Sequence, residues 1–301
     1  MRIVFFASSP YAVASLEALI AAGHEVVALV TEPDRGTEPG PEVVAGAWRI
    51  PVYEPAQLEG FEAELGGRAH DLQVVLGYGR ALPSSVLDLP RYGTVKIHAS
   101  LLPRYRGAAP IPRAILDGAT ETGVTALLVK DGPVDAGPVF GSRSTAVGAE
   151  ETAAELRPRL AKLAAALLLE TVGGLAEGKL KPKAQEASGA SEAPAVREEE
   201  GRLDWNLPAV QLARQVRAFC PWPGSVTRFE GHTLKVLKAT VADDGAGEPG
   251  VVAGADFAGI VVACAGGTRL RLTQLQLEGQ RPMSPSAFVS RHRLRAGARL
   301  G

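Results

Sequence analysis

The sequence predicts an α/β protein with a doubly wound parallel sheet over residues 1–178, a linker at 179–202 and a small β-barrel over 203–301. Three observations carry this. Continuous apolar runs alternate with helically spaced segments as far as residue 150, as strands covered on both faces require. Between residues 179 and 201 the composition turns to Lys, Glu, Ala, Ser and Pro with little apolar periodicity. Beyond that come brief β-type runs broken by Gly, Asp and Pro, the texture of a small barrel.

The elements follow in order. Residues 3–6 form an apolar strand that Ser8-Ser9-Pro10 closes with a turn. Residues 14–22 place Leu16, Leu19 and Ile20 at helical spacing, with Gly23 as C-cap. Residues 25–31 are the next strand, before the turn-rich 32–36, and 74–76, 94–97 and 124–129 repeat the strand pattern. Thr152 and Glu155 have capping-box spacing and open a helix through about Val172. Pro158 kinks its first turns or marks a slightly later start, and Gly173-Gly174 weaken its end. After the linker come a helix at 209–218 and strands at 225–229, 234–239, 250–252, 259–263 and 270–277.

A chain of 301 residues that is 46% hydrophobic can bury a sizeable core, and its length favours two domains. Cys220 and Cys264 are the only cysteines and lack ligand spacing, which argues against a disulfide framework or a metal site and fits a reducing cytoplasm. The apolar opening is too short for a secretion signal, and no segment approaches the length of a membrane span. The net charge of −1 is uneven. Residues 203–301 hold 12 Lys and Arg against 7 Asp and Glu, and the rest holds 20 against 26. A basic C-terminal part permits a polyanionic partner without demanding one.

The chemistry concentrates after residue 94. Lys96 and His98 share one face of their strand, and Ile97 points away. A Pro- and Gly-broken loop follows, Ser100-Leu101-Leu102-Pro103-Arg104-Tyr105-Arg106-Gly107. Asp135 lies in a second strand-end loop, 131–137, and loops after neighbouring parallel strands meet at one sheet edge. His98 and Asp135 are therefore expected to converge, the carboxylate raising the imidazole pKa and orienting it. Each residue alone has a plainer reading: a structural histidine, a D-x-G turn, a Ser100 cap, Leu-Leu-Pro packing.

Their order and spacing, together with Met1–Phe6, Thr31-Glu32-Pro33-Asp34-Arg35, Tyr78-Gly79-Arg80-Ala81-Leu82-Pro83, Glu121-Thr122-Gly123-Val124-Thr125, Val134-Asp135-Ala136-Gly137, Gly201-Arg202-Leu203-Asp204-Trp205 and Cys220-Pro221-Trp222-Pro223-Gly224, resemble the 10-formyltetrahydrofolate-dependent formyltransferases over nearly the whole chain. The resemblance is to the branch acting on methionyl-tRNA, because relatives that formylate small purine ribonucleotides are not expected to carry the extra domain. It implies a Rossmann-like catalytic domain, an OB-like tRNA-binding domain at the C-terminus, 10-formyltetrahydrofolate as co-substrate, initiator methionyl-tRNA as partner, and a cytoplasmic monomer. By the same resemblance His98 and Asp135, with Lys96 beside them, are catalytic, and Ser100, Leu101, Leu102, Pro103 and Tyr78 bind the folate. The implied mechanism is attack of an uncharged amine on the formyl carbon. His98 donates to the oxyanion, while Asp135 keeps His98 protonated and helps accept the amine's proton.

Two departures stand out. The family carries asparagine two residues before the histidine, where this chain has Lys96. A cation there opposes imidazole protonation and competes for Asp135, so it is either an alternative oxyanion donor or a weakening change. The loop at 36–42 is short and acidic, without a basic residue between Arg35 and Arg49, where the family's is longer and basic. That loss weakens phosphate contacts, for which Arg104, Arg106, Arg113 and the basic C-terminal part partly compensate. These departures leave room for another acceptor (an amino-sugar nucleotide or water) and for a catalytically weakened paralogue that binds folate or RNA.

Overall fold

A computed structural model describes residues 1–32, 39–186 and 188–301. Residues 36–38 of the acidic loop expected at 36–42 lie outside the described residues. The chain divides into two compact units, one of residues 1–110, 121–146 and 157–194, the other of 111–120, 147–156 and 195–301.

The first unit is built on a seven-stranded sheet of order β3-β2-β1-β4-β5-β6-β7. Its strands are β1 (Arg2–Phe6), β2 (Glu25–Val30), β3 (Val52–Tyr53), β4 (Leu72–Val75), β5 (Thr94–His98), β6 (Glu121–Leu128) and β7 (Val139–Ala146). Between them in sequence lie α1 (Val13–Ala21), α2 (Pro41–Ala47), α3 (Glu62–Gly66) and α4 (Ser84–Leu87), and α5 (Pro110–Leu116), which but for Pro110 belongs to the second unit. Val4, Phe6, Val30 and Val75 pack with Leu58, Phe61 and Leu65, the continuous burial expected of a covered parallel sheet.

The sheet is parallel only from β3 to β5. Strand β6 runs antiparallel to β5, and β7 antiparallel to β6. The expected parallel sheet holds over the five strands from β3 to β5, and two antiparallel strands are added at one edge. Strand β7 is an edge on which exposed Ser142 and Ser144 alternate with half-buried Arg143 and Thr145, so its outer face needs no cover. Its polarity also hid it from an apolar-run criterion. The helices of four to eight residues escaped notice because so few turns show no period.

Helix α6 (Ala153–Ala176) opens with the predicted capping box: Thr152 N–H donates to Glu155 Oε2 at 2.9 Å and Glu155 N–H to Thr152 Oγ1 at 3.3 Å. It continues through Pro158 and Gly173-Gly174 because Leu156, Leu160, Ala164, Leu168 and Val172 form one buried stripe. That burial outweighs one missing hydrogen bond and two poor helix formers.

The second unit holds α7 (Ala209–Ala218) over a five-stranded antiparallel sheet, followed by α8 (Pro285–His292). The strands are β8 (Ser225–Phe229), β9 (His232–Ala242), β10 (Val252–Asp256), β11 (Gly259–Ala263) and β12 (Arg269–Leu277), in the order β10-β11-β12-β9-β8. No ladder joins β8 to β10, so the expected barrel is open there among the described residues. The C-terminal tail bridges the gap: Leu300 N–H donates to Gly250 O at 2.8 Å and Gly301 N–H to Arg228 O at 3.0 Å. Among the described residues no helix is long and apolar enough to cross a membrane, and no group of three His, Cys, Asp or Glu residues is placed to hold a metal ion.

Candidate active site

Strand β5 ends at His98, and its period of two turns Lys96 and His98 to one face. His98 is 3% exposed. Its Nε2–H donates to the Tyr105 carbonyl at 2.7 Å, which leaves Nδ1 facing Asp135 Oδ2 at 3.4 Å. Oδ2 also accepts the Gly107 N–H at 3.0 Å, and the Lys96 ammonium meets Oδ1 at 2.5 Å. The Asp135 side chain is 1% exposed and that of Lys96 24%, so of the three charged or titratable groups the lysine is the one open to solvent.

Sequence reasoning paired His98 with Asp135 correctly but by the wrong route. Because β6 is antiparallel to β5, with Leu128 opposite Val95, the chain leaves β6 at the far end from His98. Asp135 returns over the sheet face on the loop between β6 and β7, in the left-handed region at φ 55°. Gly137 lets that loop close onto the strand, since a Cβ there would run into the Leu128 carbonyl oxygen. Gly137→Ala is therefore expected to lower stability by about 1–3 kcal/mol, read as a lower urea midpoint at unchanged m value. An unchanged midpoint would show that the loop yields freely.

The electrostatics also correct an expectation. Burial depresses the His98 imidazole; Asp135 and the Tyr105 carbonyl oppose this, Lys96 reinforces it, and the net shift is downward. Burial pushes the Asp135 carboxyl up, but His98, Lys96 and the Gly107 N–H together hold it below the ordinary carboxylate value. Asp135 thus does not keep His98 protonated; the lysine has taken up its charge. The resting site is an ammonium–carboxylate pair beside a neutral imidazole whose Nδ1 is an acceptor.

The residues expected to bind folate separate into two groups. Leu101, Leu102 and Pro103 remain half-buried on the loop after His98, an apolar surface suited to a flat heterocycle. Ser100 is fully buried, and its hydroxyl donates to the Arg104 carbonyl at 2.6 Å, so it closes the loop instead of facing a ligand. Tyr78 is 7% exposed and packs edge-on against Phe6, a core position. Thr125 clamps the same loop, donating to the Ser100 carbonyl at 2.6 Å and accepting the Leu102 N–H at 3.1 Å.

Of the arginines credited with phosphate contact, Arg104 is exposed and lies over the Tyr105 ring. Arg106 donates to Gln185 Oε1. Arg113 is already paired: it grips Glu200 at 2.6 and 3.0 Å and holds that carboxyl down to about 2. Sequence reasoning missed Gln185 and Ser191, which reach the site from the segment read as linker. Ser191 Oγ accepts the Tyr105 N–H at 2.9 Å. No periodicity marks such a segment, because its contacts are made one polar group at a time.

Two protein-family models match the chain, formyl transferase over residues 1–172 and formyl transferase, C-terminal domain, over 195–293. A curated protein of Thiobacillus denitrificans named methionyl-tRNA formyltransferase is 45% identical over 312 residues, covering 100% of both chains. One of the same name from Methylococcus capsulatus is 43% identical at the same coverage, and one from Myxococcus xanthus 44% identical over 99% of this chain and 97% of its own. Among solved structures, HypX from Aquifex aeolicus in complex with tetrahydrofolic acid aligns with a TM-score of 0.67 at 20% identity. That alignment covers 96% of this chain but 47% of HypX, so the chain spans about half of that protein's length. The sugar 3N-formyl transferase WlaRD aligns with a TM-score of 0.70 at 15% identity, over 93% of this chain and 99% of its own. At these identities the structural likenesses speak for the fold.

Proposed function

The chain belongs to the formyl transferase family, and we propose that it transfers the formyl group of 10-formyltetrahydrofolate to the amino group of methionyl-initiator tRNA. The observation that carries this reading is the full-length correspondence with methionyl-tRNA formyltransferases, second unit included. In the reaction the acceptor nitrogen bonds to the formyl carbon, the bond from that carbon to the folate nitrogen breaks, and the proton lost by the amine balances the one gained by the departing tetrahydrofolate.

The residues divide the work as their exposure dictates. Leu101, Leu102 and Pro103 offer the folate an apolar seat beside the charged cluster. Lys96 is the oxyanion donor: Asp135 holds its ammonium in place, and an ammonium has three N–H groups to share. Asp135 takes the proton from the attacking amine, and the free Nδ1 of the neutral His98 accepts from the carboxyl so protonated. Lys96 on this reading replaces the family's asparagine in kind, a charged donor for a neutral one.

The division of labour we propose follows the boundary at 179–202, with chemistry in 1–178 and tRNA binding in 203–301, where positive charge exceeds negative by five. The protein acts as a cytoplasmic monomer, a setting with which the free thiols of Cys220 and Cys264 agree.

The test is a formylation assay with 10-formyltetrahydrofolate and charged initiator tRNA. Formyl-methionyl-tRNA and tetrahydrofolate are expected in equal amounts. Formate release without a formylated tRNA would move the reading to a hydrolase. Transfer to an amino-sugar nucleotide alone would change the acceptor.

A further inference from the structure

We propose that Gln185 is a positioning residue for this reaction, fixing the backbone that carries Asp135 against Lys96 and His98. The inference rests on the formyl-transfer reading above. Gln185 Nε2 donates to two carbonyls of the catalytic loop, Asp135 O at 2.7 Å and Gly137 O at 2.8 Å. Its Oε1 accepts from Arg106 Nη2 at 2.6 Å. Both amide N–H groups and the amide oxygen are thus committed.

What those three bonds join gives the arrangement its meaning. Arg106 lies between Tyr105, whose carbonyl accepts from His98, and Gly107, whose N–H donates to Asp135. The two carbonyls belong to the other half of the site. One side chain therefore ties the loop after His98 to the loop bearing Asp135. The Asp135 loop needs such a tie: its aspartate sits at φ 55°, a conformation that non-glycine residues hold only when their surroundings enforce it. Gln185 is itself anchored, because Lys183 and Val139 exchange backbone hydrogen bonds of 2.7 and 2.8 Å two residues upstream.

The chemistry selects glutamine. A carboxylate at 185 would face two carbonyl oxygens with no donor, and leucine would supply neither donor nor acceptor. A misplacement of about 1 Å at a reacting group can cost about a hundredfold in rate.

The experiment compares the full chain with Gln185→Leu and Gln185→Glu. It measures kcat, KM for each substrate, and the titration of the His98 imidazole by NMR. Gln185→Leu is expected to lower kcat about 10- to 100-fold, with both KM values within about twofold and the His98 midpoint displaced. Gln185→Glu is expected to regain activity relative to the wild type as pH falls, because the protonated acid supplies one donor. Wild-type kcat in Gln185→Leu would overturn the proposal. So would a loss that follows only the folded fraction, with the pH profile and His98 titration of the wild type. If Gln185→Leu does not fold, Gln185→Glu, the same size and shape, decides by its pH profile. Should the wild type release formate but formylate no tRNA, the acceptor reading fails while the same comparison on formate release still decides Gln185. Should it do neither, the His98 titration decides alone.

Discussion

His98→Ala is expected to cut formyl transfer by about 10²–10³-fold, nearly all of it in kcat. The imidazole is 3% exposed, so KM should hardly move. Its removal deprives a protonated Asp135 of the Nδ1 that accepts from it and leaves the Tyr105 carbonyl without its donor. An unpaired buried acceptor costs about 1–3 kcal/mol, so the variant should also unfold at lower urea. Single-turnover formylation separates the two effects. A chemical step at the wild-type rate would show that Lys96 and Asp135 suffice without the histidine.

A pH dependence follows from the same group. The folded imidazole is depressed below its unfolded value, so the unfolded chain binds the proton more readily. The stability associated with neutral His98 is fully present above the ordinary imidazole range and is lost as pH falls through it. In His98→Ala the urea midpoint should lose that part of its slope with pH.

Lys96→Met is expected to be the most destabilising change at the site. It strands a carboxylate whose side chain is 1% exposed, and breaking one partner of a buried pair costs about 3–5 kcal/mol. The carboxyl escapes part of that cost by taking up a proton, so stability should recover partly as pH is lowered. Formyl transfer should fall at least about a hundredfold with the oxyanion donor gone. Lys96→Asn is expected to restore most of both properties, since an amide N–H can meet Asp135 without a charge. If Lys96→Met unfolds at the wild-type midpoint and turns over normally, Lys96 is a bystander at the rim.

Much of the architecture could be read locally. Helix α7 and strands β8 and β11 begin and end where apolar spacing put them, because each lays a regular face on one core. The pairing of Lys96 and His98 on one face was likewise legible, since a strand's period leaves no alternative. Strand β7 and the helices α2 to α5 were not, being too short or too polar for a period to emerge.

The sequence by itself determined the strand face that Lys96 and His98 share and the alternation that builds the sheet beneath them. Both are properties of near neighbours, written in side-chain period and composition. Only the tertiary structure decided that β6 turns back, that Asp135 therefore arrives over the sheet face, and that Lys96 neutralises it while His98 stays uncharged. It alone decided that the Gln185 amide bridges the Arg106 guanidinium to the carbonyls of Asp135 and Gly137, and that the C-terminus closes the gap between β8 and β10. These are contacts between groups tens of residues apart, and strand direction, burial and charge balance arise only when the folded chain brings them together.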